Sequence, residues 1–454
     1  MNRKEEFEAM LSEFEKTDLD YDVMPKAEKR LKKRKYFYVP VSYAASFFIC
    51  FVVLVNFCSP VAYGCSKLPL IKDLAKAVTF SPSLSSAVDN EYLQKVGIIQ
   101  NKNGISASVD YIIVDQKQVN IFFRLDGSGY GTLSADPDIS GAEGEFLESC
   151  SYGVNGYNVP NGEINSLTID FINGNVPDSL MLKLKVYENE SSQSRVPETE
   201  KGYFEDWNPD YIAEFEFLLE FDPQFTAVGK EIKVNEEFEI EGQKFVITDI
   251  EIYPTNMRIN ISADEKNTAW IKELYFEAAD DRGRRFEPVA NGISATGDLS
   301  TPMMKSYRAE SPYFYDSDFI NIIIKGAVLL DKNNERVFID LKNSFSGNMP
   351  QDAELYRVYR ENGTWIVETK CAERKENHMH QIFMGNYYDL YGNEYHINGY
   401  GSAITSSKGE EEKGFFYSYM YLNDYPYDKV WLEAAYSRIC TLKEEKVIKI
   451  INEK

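Results

Sequence analysis

Residues 36–66 form a run of 31 residues without one charged side chain, and the ten residues before it, Lys26–Lys35, carry seven lysines and arginines. A helix rises about 1.5 Å per residue, so roughly 20 apolar residues cross a hydrocarbon core of about 30 Å. Val39–Cys58 supplies that length. Lysine and arginine flanking one end of a span stay on the cytoplasmic side. The pattern predicts a single-pass membrane protein in the lipid bilayer of the cell membrane, with residues 1–35 cytoplasmic, 36–60 spanning and the remainder outside. A cleaved signal peptide has an apolar core of only about 7–15 residues and a short basic region at its start; here the basic flank follows residues 1–25. A lipid-modified Cys58 or Cys65 would need small residues ahead of it, whereas Val55-Asn56-Phe57 and Ala62-Tyr63-Gly64 include bulky or polar ones. The basic flank also argues against a buried core helix.

The formal charge of −23 is unevenly placed. Residues 1–24 sum to −5 and residues 25–35 to +6, so the part from Lys67 onward carries −24. That excludes direct nucleic-acid binding, which needs a basic footprint, and it repels anionic polymers unless cations intervene. Six cysteines do not make a disulfide scaffold. Cys65, Cys150, Cys371 and Cys440 fall in the predicted outer part without repeated spacing, and whether any two are bridged stays open.

In the tail, Phe7, Met10, Leu11 and Phe14 recur at helical spacing, with glutamates filling the other face. This apolar stripe is the candidate partner-binding surface, against the alternative of an inert acidic tail. Lys26, Lys29, Arg30, Lys32, Lys33, Arg34 and Lys35 set topology and hold the chain at the inner membrane surface. Beyond the span, Leu68, Ile71, Leu74, Ala75 and Val78 predict a short helix, within a membrane-proximal helical segment at 61–100.

From Gly104 the texture changes. Period-two alternation marks strands at Ser106–Val114, Val119–Leu125, Leu180–Val186, Phe215–Phe221, Phe245–Ile252 and Arg258–Ile261, then at Ile320–Ile324, Val337–Leu341, Thr364–Glu368 and Val447–Ile451. Seven Asn-Gly dipeptides punctuate them, a hairpin signal because both residues accept positive φ. Sliding the chain by 138 residues matches Gly104 to Gly242, Val109 to Ile247, Ile112 to Ile250, Val119 to Met257 and Phe123 to Ile261. A slide of 109, matching Phe286 to Tyr395, is much thinner. The fold class read from these signals is mainly β: a short cytoplasmic helix, one transmembrane helix, then two or three immunoglobulin-like β-sandwich modules. Linkers at Phe225–Lys230 and Ser344–Asp352 place the modules at 101–225, 226–345 and 346–454.

Catalytic signatures are missing. HExxH, GxSxG, Walker and GxGxxG patterns do not occur, and the three histidines are His378, His380 and His396. His378 and His380 would share one face of a strand, but no third ligand stands at a recognisable spacing. Asp316-Ser317-Asp318 and Asp136-Pro137-Asp138 fall short of a calcium loop. The tyrosine-rich run Phe415–Tyr421 reads as packing or as a carbohydrate platform. No enzyme, cofactor or metal is predicted.

Asp22-Val23-Met24-Pro25, Lys29–Lys33, Val55-Asn56, Ser59-Pro60-Val61-Ala62 and Leu68-Pro69-Leu70-Ile71, followed by Gly104–Val109, Val114-Asp115 and Val119–Phe123, resemble a Gram-positive membrane family carrying the domain of unknown function 4179. The resemblance covers residues 20 to 130, and Lys230–Ile261 resembles the β-sandwich that often follows. It implies a regulator similar to anti-sigma factors, whose partner is an extracytoplasmic-function sigma factor and whose outer modules meet an envelope ligand or protease. The tail is shorter than the multi-helix sigma-binding domain of such factors. A zinc-binding version is excluded because residues 1–49 contain neither His nor Cys. The competing reading is a cell-surface binding or structural protein with an inert tail.

Overall fold

The computed structural model describes residues 69–147, 149–155, 160–188, 210–226, 229–289, 293–297, 301–372, 381–396, 401–403 and 415–451. The chain divides into two compact units, Met1–Lys72 and Asp73–Lys454, and almost all of the described residues belong to the second. Among them, no helix is long and apolar enough to cross a membrane; the predicted span at 36–60 and the tail lie outside them. The fold is mainly β.

Two short helices come first. The predicted one is α1, Pro69–Ala77. The second, α2 (Pro82–Asp89), starts on Ser81, whose hydroxyl accepts from Leu84 N, with Pro82 in the first turn where its missing N–H costs nothing. The segment 61–100 is therefore not helical throughout, because β1 already begins at Gln94.

The first sandwich packs β1 (Gln94–Lys102), β2 (Ile105–Val114), β3 (Gln118–Gly127), β6 (Ile164–Phe171) and β5 (Cys150–Asn155), hydrogen-bonded in that order, against a sheet ordered β4 (Leu133–Gly141), β7 (Ser179–Glu188), β8 (Ala213–Glu220). Alternation turns Val109, Ile121, Leu167, Leu182 and Phe217 into one shared core. At one open side, the Gln94, Gln100, Lys102 and Asn103 side chains donate to the carbonyls of Glu220, Glu216, Glu214 and Ile212. Backbone acceptors that an edge strand would leave free are thereby used.

The second sandwich repeats the first. Its larger sheet is ordered β9 (Lys230–Ile240), β10 (Gln243–Ile252), β11 (Met257–Ala263), β15 (Met304–Ala309), β14 (Ala295–Gly297). Displaced by 138 residues, Val109↔Phe123 becomes Ile247↔Ile261 and Lys102↔Ile105 becomes Ile240↔Gln243. The β1–β2 bulge between Lys95 and Ile98 recurs between Lys233 and Glu236. The bulge between Val109 and Tyr111 recurs between Ile247 and Asp249. The turn recurs as well, with positive φ at Asn103-Gly104 and at Glu241-Gly242. Bulges and turns fix register more tightly than alternation alone.

The smaller sheet of this sandwich is ordered β13 (Arg285–Phe286), β12 (Ala269–Asp280), β16 (Phe319–Asp331), β26 (Arg438–Ile451). Its last strand comes from the far end of the chain, pairing Ile322 with Ile448 and Ala327 with Cys440. The third sandwich lies between β16 and β26 in sequence. It packs β18 (Phe345–Ser346), β17 (Arg336–Asp340), β25 (Lys429–Ala434), β21 (Phe383–Tyr388) and β22 (Glu394–His396) against β19 (Ala353–Glu361), β20 (Thr364–Ala372), β24 (Phe415–Leu422) and β23 (Gly401–Ala403). The boundary drawn at 346–454 is corrected accordingly: the third sandwich is an insertion, and 438–451 completes the second. The physical reason is burial, since Cys440, Ile448 and Ile450 join the second core rather than the third.

Candidate functional site

The two repeated sandwiches are joined by charge. On β3 and β6 the residues facing away from the core are Gln118, Asn120, Thr168 and Asp170, all buried. They form a ladder: Thr168 Oγ1 donates to Asn120 Oδ1 (2.9 Å), Asn120 Nδ2 to Gln118 Oε1 (3.1 Å) and Gln118 Nε2 to Asp170 Oδ2 (3.3 Å). On the second sandwich Arg258 and Arg308 sit directly opposite each other on β11 and β15. Like charges in that register repel. Asp170 relieves the repulsion. Arg308 grips its carboxylate through Nε (3.2 Å) and Nη2 (2.9 Å), while Arg258 Nη2 donates to Oδ2 at 3.1 Å. Both guanidiniums and the carboxylate are essentially inaccessible to water, at 2, 0 and 0 % exposure. Two forked donors on one acceptor fix geometry as well as charge.

Arg258 reaches further across the junction, while Arg308 is braced within its own sandwich. Arg258 donates to the carbonyls of Phe171 (2.9 Å) and Lys117 (3.1 Å), and Arg308 donates to Thr296 Oγ1 (3.0 Å). Beside them, Asp115 accepts from Lys117 N, Gln118 N, Thr255 N and Thr255 Oγ1, the last at 2.7 Å. Burial still raises the Asp115 pKa despite these donors, and burial lowers that of Arg258. Arg258 Nε and Asn256 Oδ1 are buried here without a hydrogen-bond partner among the described residues.

A second carboxylate fastens the helices. Glu310 Oε2 accepts from Ser81 Oγ (3.0 Å), Ser83 N (2.7 Å) and Ser83 Oγ, and Ser83 Oγ in turn accepts from Ser311 N. Burial raises the Glu310 pKa. Tyr92, just after α2, donates to Phe225 O and packs edge-on against Phe225 and Phe314. Asp73 on α1 pairs with Arg124, which also holds Asp110 at 2.6 Å. The helices are thus bound to both repeated sandwiches.

The candidate residues of the tail, Phe7, Met10, Leu11 and Phe14, and the basic set from Lys26 to Lys35 lie outside the described residues, as do His378, His380 and Cys65. His396 is exposed on β22, with Nδ1 at 2.7 Å from Asn386 Oδ1. Asp316 pairs with Arg282, and Asp136 accepts from the Tyr211 hydroxyl, which pushes that phenol up to about 12. Cys150, Cys371 and Cys440 lie in three different sandwiches. Among the described residues no group of three or more His, Cys, Asp or Glu is placed to hold a metal.

Comparison with known proteins bears on these same elements. Residues 32–127 match a family described as Domain of unknown function (DUF4179). Residues 229–348 match a second, described as Family of unknown function (DUF5643). No curated protein matches the chain. Among solved structures, the crystal structure of the conserved domain protein from Bacillus anthracis is similar at 13% identity and a TM-score of 0.37, over 56% of this chain and 84% of that one.

The first match ends with β3, partway through the first sandwich, and the second runs on through β17 and β18, the first two strands of the inserted module. Neither includes Asp170 or β26. The residues that join the sandwiches are accordingly Asp115 from one match, Arg258 and Arg308 from the other, and Asp170 from between them. These were missed in the sequence because β6 is buried on both faces and shows no alternation. Arg258, between Met257 and Ile259, reads as an ordinary outward charge. What the junction does chemically is hold: it offers fixed ion pairs.

Proposed function

We propose that this protein is a single-pass membrane regulator of the anti-sigma type. Residues 1–35 restrain an extracytoplasmic-function sigma factor in the cytoplasm, and the modules from residue 61 onward lie outside and read the state of the envelope. The observation that carries the proposal is the pairing of a seven-charge basic segment with a 31-residue uncharged run, set beside the match over 32–127. The stripe Phe7, Met10, Leu11 and Phe14 docks on the partner as an amphipathic helix lays into a groove. A helix this short is marginal alone and folds on binding.

The outer modules belong, on this reading, to the immunoglobulin-like class. In support, the order β2-β3-β6-β5 opposite β4-β7-β8 is the ABED/CFG arrangement with β1 added. The second sandwich has the same order, β10-β11-β15-β14 opposite β12-β16-β26. The buried Asp170 and Glu310 contacts suit a sensor, since the first ties the two sandwiches to each other and the second ties the second sandwich to the start of α2.

The test is affinity capture of the full chain from its own cell, beside a variant with Phe7, Leu11 and Phe14 changed to Ala. Recovery of a sigma factor with the first chain and its loss from the second is expected, with target genes released. Identical captured proteins and unchanged target-gene expression would overturn the regulator reading. The second reading, an anchored surface-binding protein, is favoured by one observation: aromatic rings exposed on the third sandwich.

A further inference from the structure

One sheet of the third sandwich turns an aromatic face to solvent. Val337 and Ile339 on β17 and Val430 and Leu432 on β25 point into the core, so alternation sends Phe338 and Trp431 outward. They are cross-strand partners, with ring centroids 5.3 Å apart. Trp431 is in turn the partner of Tyr388 on β21, and Phe345 stands on the neighbouring β18. Four adjacent strands thus each present one ring. With strands about 4.8 Å apart, three of them span roughly 10 Å. Trp431 is 37% exposed and Phe345 58%. Rings of this size are normally used for packing, and a contiguous exposed set marks a binding surface.

We propose that this face binds a neutral glycan strand. The C–H face of a pyranose packs on an aromatic ring as another apolar surface does, and its hydroxyl edges need both donors and acceptors. Both are present. Arg336 and Glu433 are cross-strand partners at the rim, Lys429 follows on β25 and Glu394 stands opposite Tyr388 on β22. Asp340, the cross-strand partner of Lys429, adds a third carboxylate, so the two cations are nearly balanced and the face suits an uncharged ligand, while the net charge of −23 disfavours a polyanion. The surface is also preorganised: the Arg336 guanidinium lies 3.4 Å from the Tyr388 ring centre, and strand pairing fixes the others. Rings already held in place lose little freedom on binding. An inserted module is a natural carrier of such a site, because its removal leaves the parent strands paired.

This deepens the sensing half of the function proposed above. It is tested on purified protein with no sigma factor present, so its failure leaves the role of the tail untouched. The full chain, in a detergent without a sugar headgroup, is titrated with cellohexaose and, separately, with the hexamer of N-acetylglucosamine, following the heat of binding by calorimetry. A saturable binding isotherm with at least one hexasaccharide is expected, its affinity weakened about tenfold or more in Trp431→Ala, as truncation of a central ring produces. Trp431→Phe, which keeps a ring, retains binding within a few-fold, and Tyr152→Ala, an exposed tyrosine on the first sandwich, leaves it unchanged. The two sugars distinguish an acetylated from a plain glycan. Absence of a saturable response to either at millimolar concentration overturns the proposal. So does equal binding by Trp431→Ala, or self-association of the chain that Trp431→Ala abolishes, which would make the face a contact between copies.

Discussion

The first sandwich, spanning residues 94–220, and the second, built from 230–331 and 438–451, share a meander down to its two bulges and its turn. They also share the site of a buried acid. Asp170 follows Ile169, the partner of Val119; Glu310 follows Ala309, the partner of Met257, which is Val119's counterpart. The two acids have been put to different uses. Asp170 faces two guanidiniums of the other sandwich, whereas Glu310 faces only hydroxyls and a backbone N–H of the α2 region. A strand-end acid on this fold is thus a general docking point, and the partner's chemistry sets how much the contact is worth. The second difference is topological: the first sandwich runs from β7 to β8, whereas the second places a whole module between the corresponding strands.

The largest expected effect breaks that topology. Ending the chain after Ser344 removes β26 and strips Ile322, Ile324 and Ala327 of their cross-strand partners. The cooperative transition of the second sandwich should disappear from thermal melts and its strands should become protease-sensitive; a wild-type melt would refute the shared sheet. Next comes Asp170→Ala, which leaves two arginines buried and opposed. Breaking a buried pair costs about 3–5 kcal/mol, read from denaturant midpoints, and an Arg258→Ala change in that background should cost much less than it does alone.

Gly326→Ala comes third. A Cβ there would stand 2.1 Å from the Cys440 carbonyl oxygen, at the bulge where β26 crosses β16. Overpacking of this kind costs about 1–3 kcal/mol, and a neutral result would mean that β26 sits farther away. The smallest effect separates the two acids. Burial raises the Glu310 pKa, so the folded state holds its proton more tightly than the unfolded one, and stability falls as pH climbs above the ordinary value of 4.5 until the raised value is passed. Glu310→Gln does not incur that cost. Its melting temperature relative to wild type should therefore rise with pH across that window; a difference that is flat or falls with pH contradicts the burial argument.

Strands were legible wherever one face is buried and the other wet. All ten alternating runs read from the sequence overlap strands, from Ser106–Val114 on β2 to Val447–Ile451 on β26, with Phe221 and Leu341 one residue past a strand end. Elements buried on both sides were not, as with β6, whose run Ser166–Phe171 has no exposed residue to mark its period. The helix α1 was visible in its apolar spacing, while α2, eight residues rich in serine, was not. The 138-residue repeat was readable because bulges preserve spacing. Which sheet β26 joins was not, because alternation says that a strand exists and nothing about its neighbour. The junction stayed hidden for a related reason: Arg258 and Asp170 look like surface residues until two sheet faces meet.

The most direct measurement is hydrogen exchange on a chain in which residues 333–436 are replaced by a short glycine-containing hairpin. If the third sandwich is an insertion into the second, the amides of 438–451 stay protected together with those of 319–331, and the Asp170 junction persists. Rapid exchange of 438–451 beside a protected β10–β11 hairpin would contradict it, and the chain would then be three consecutive modules after all.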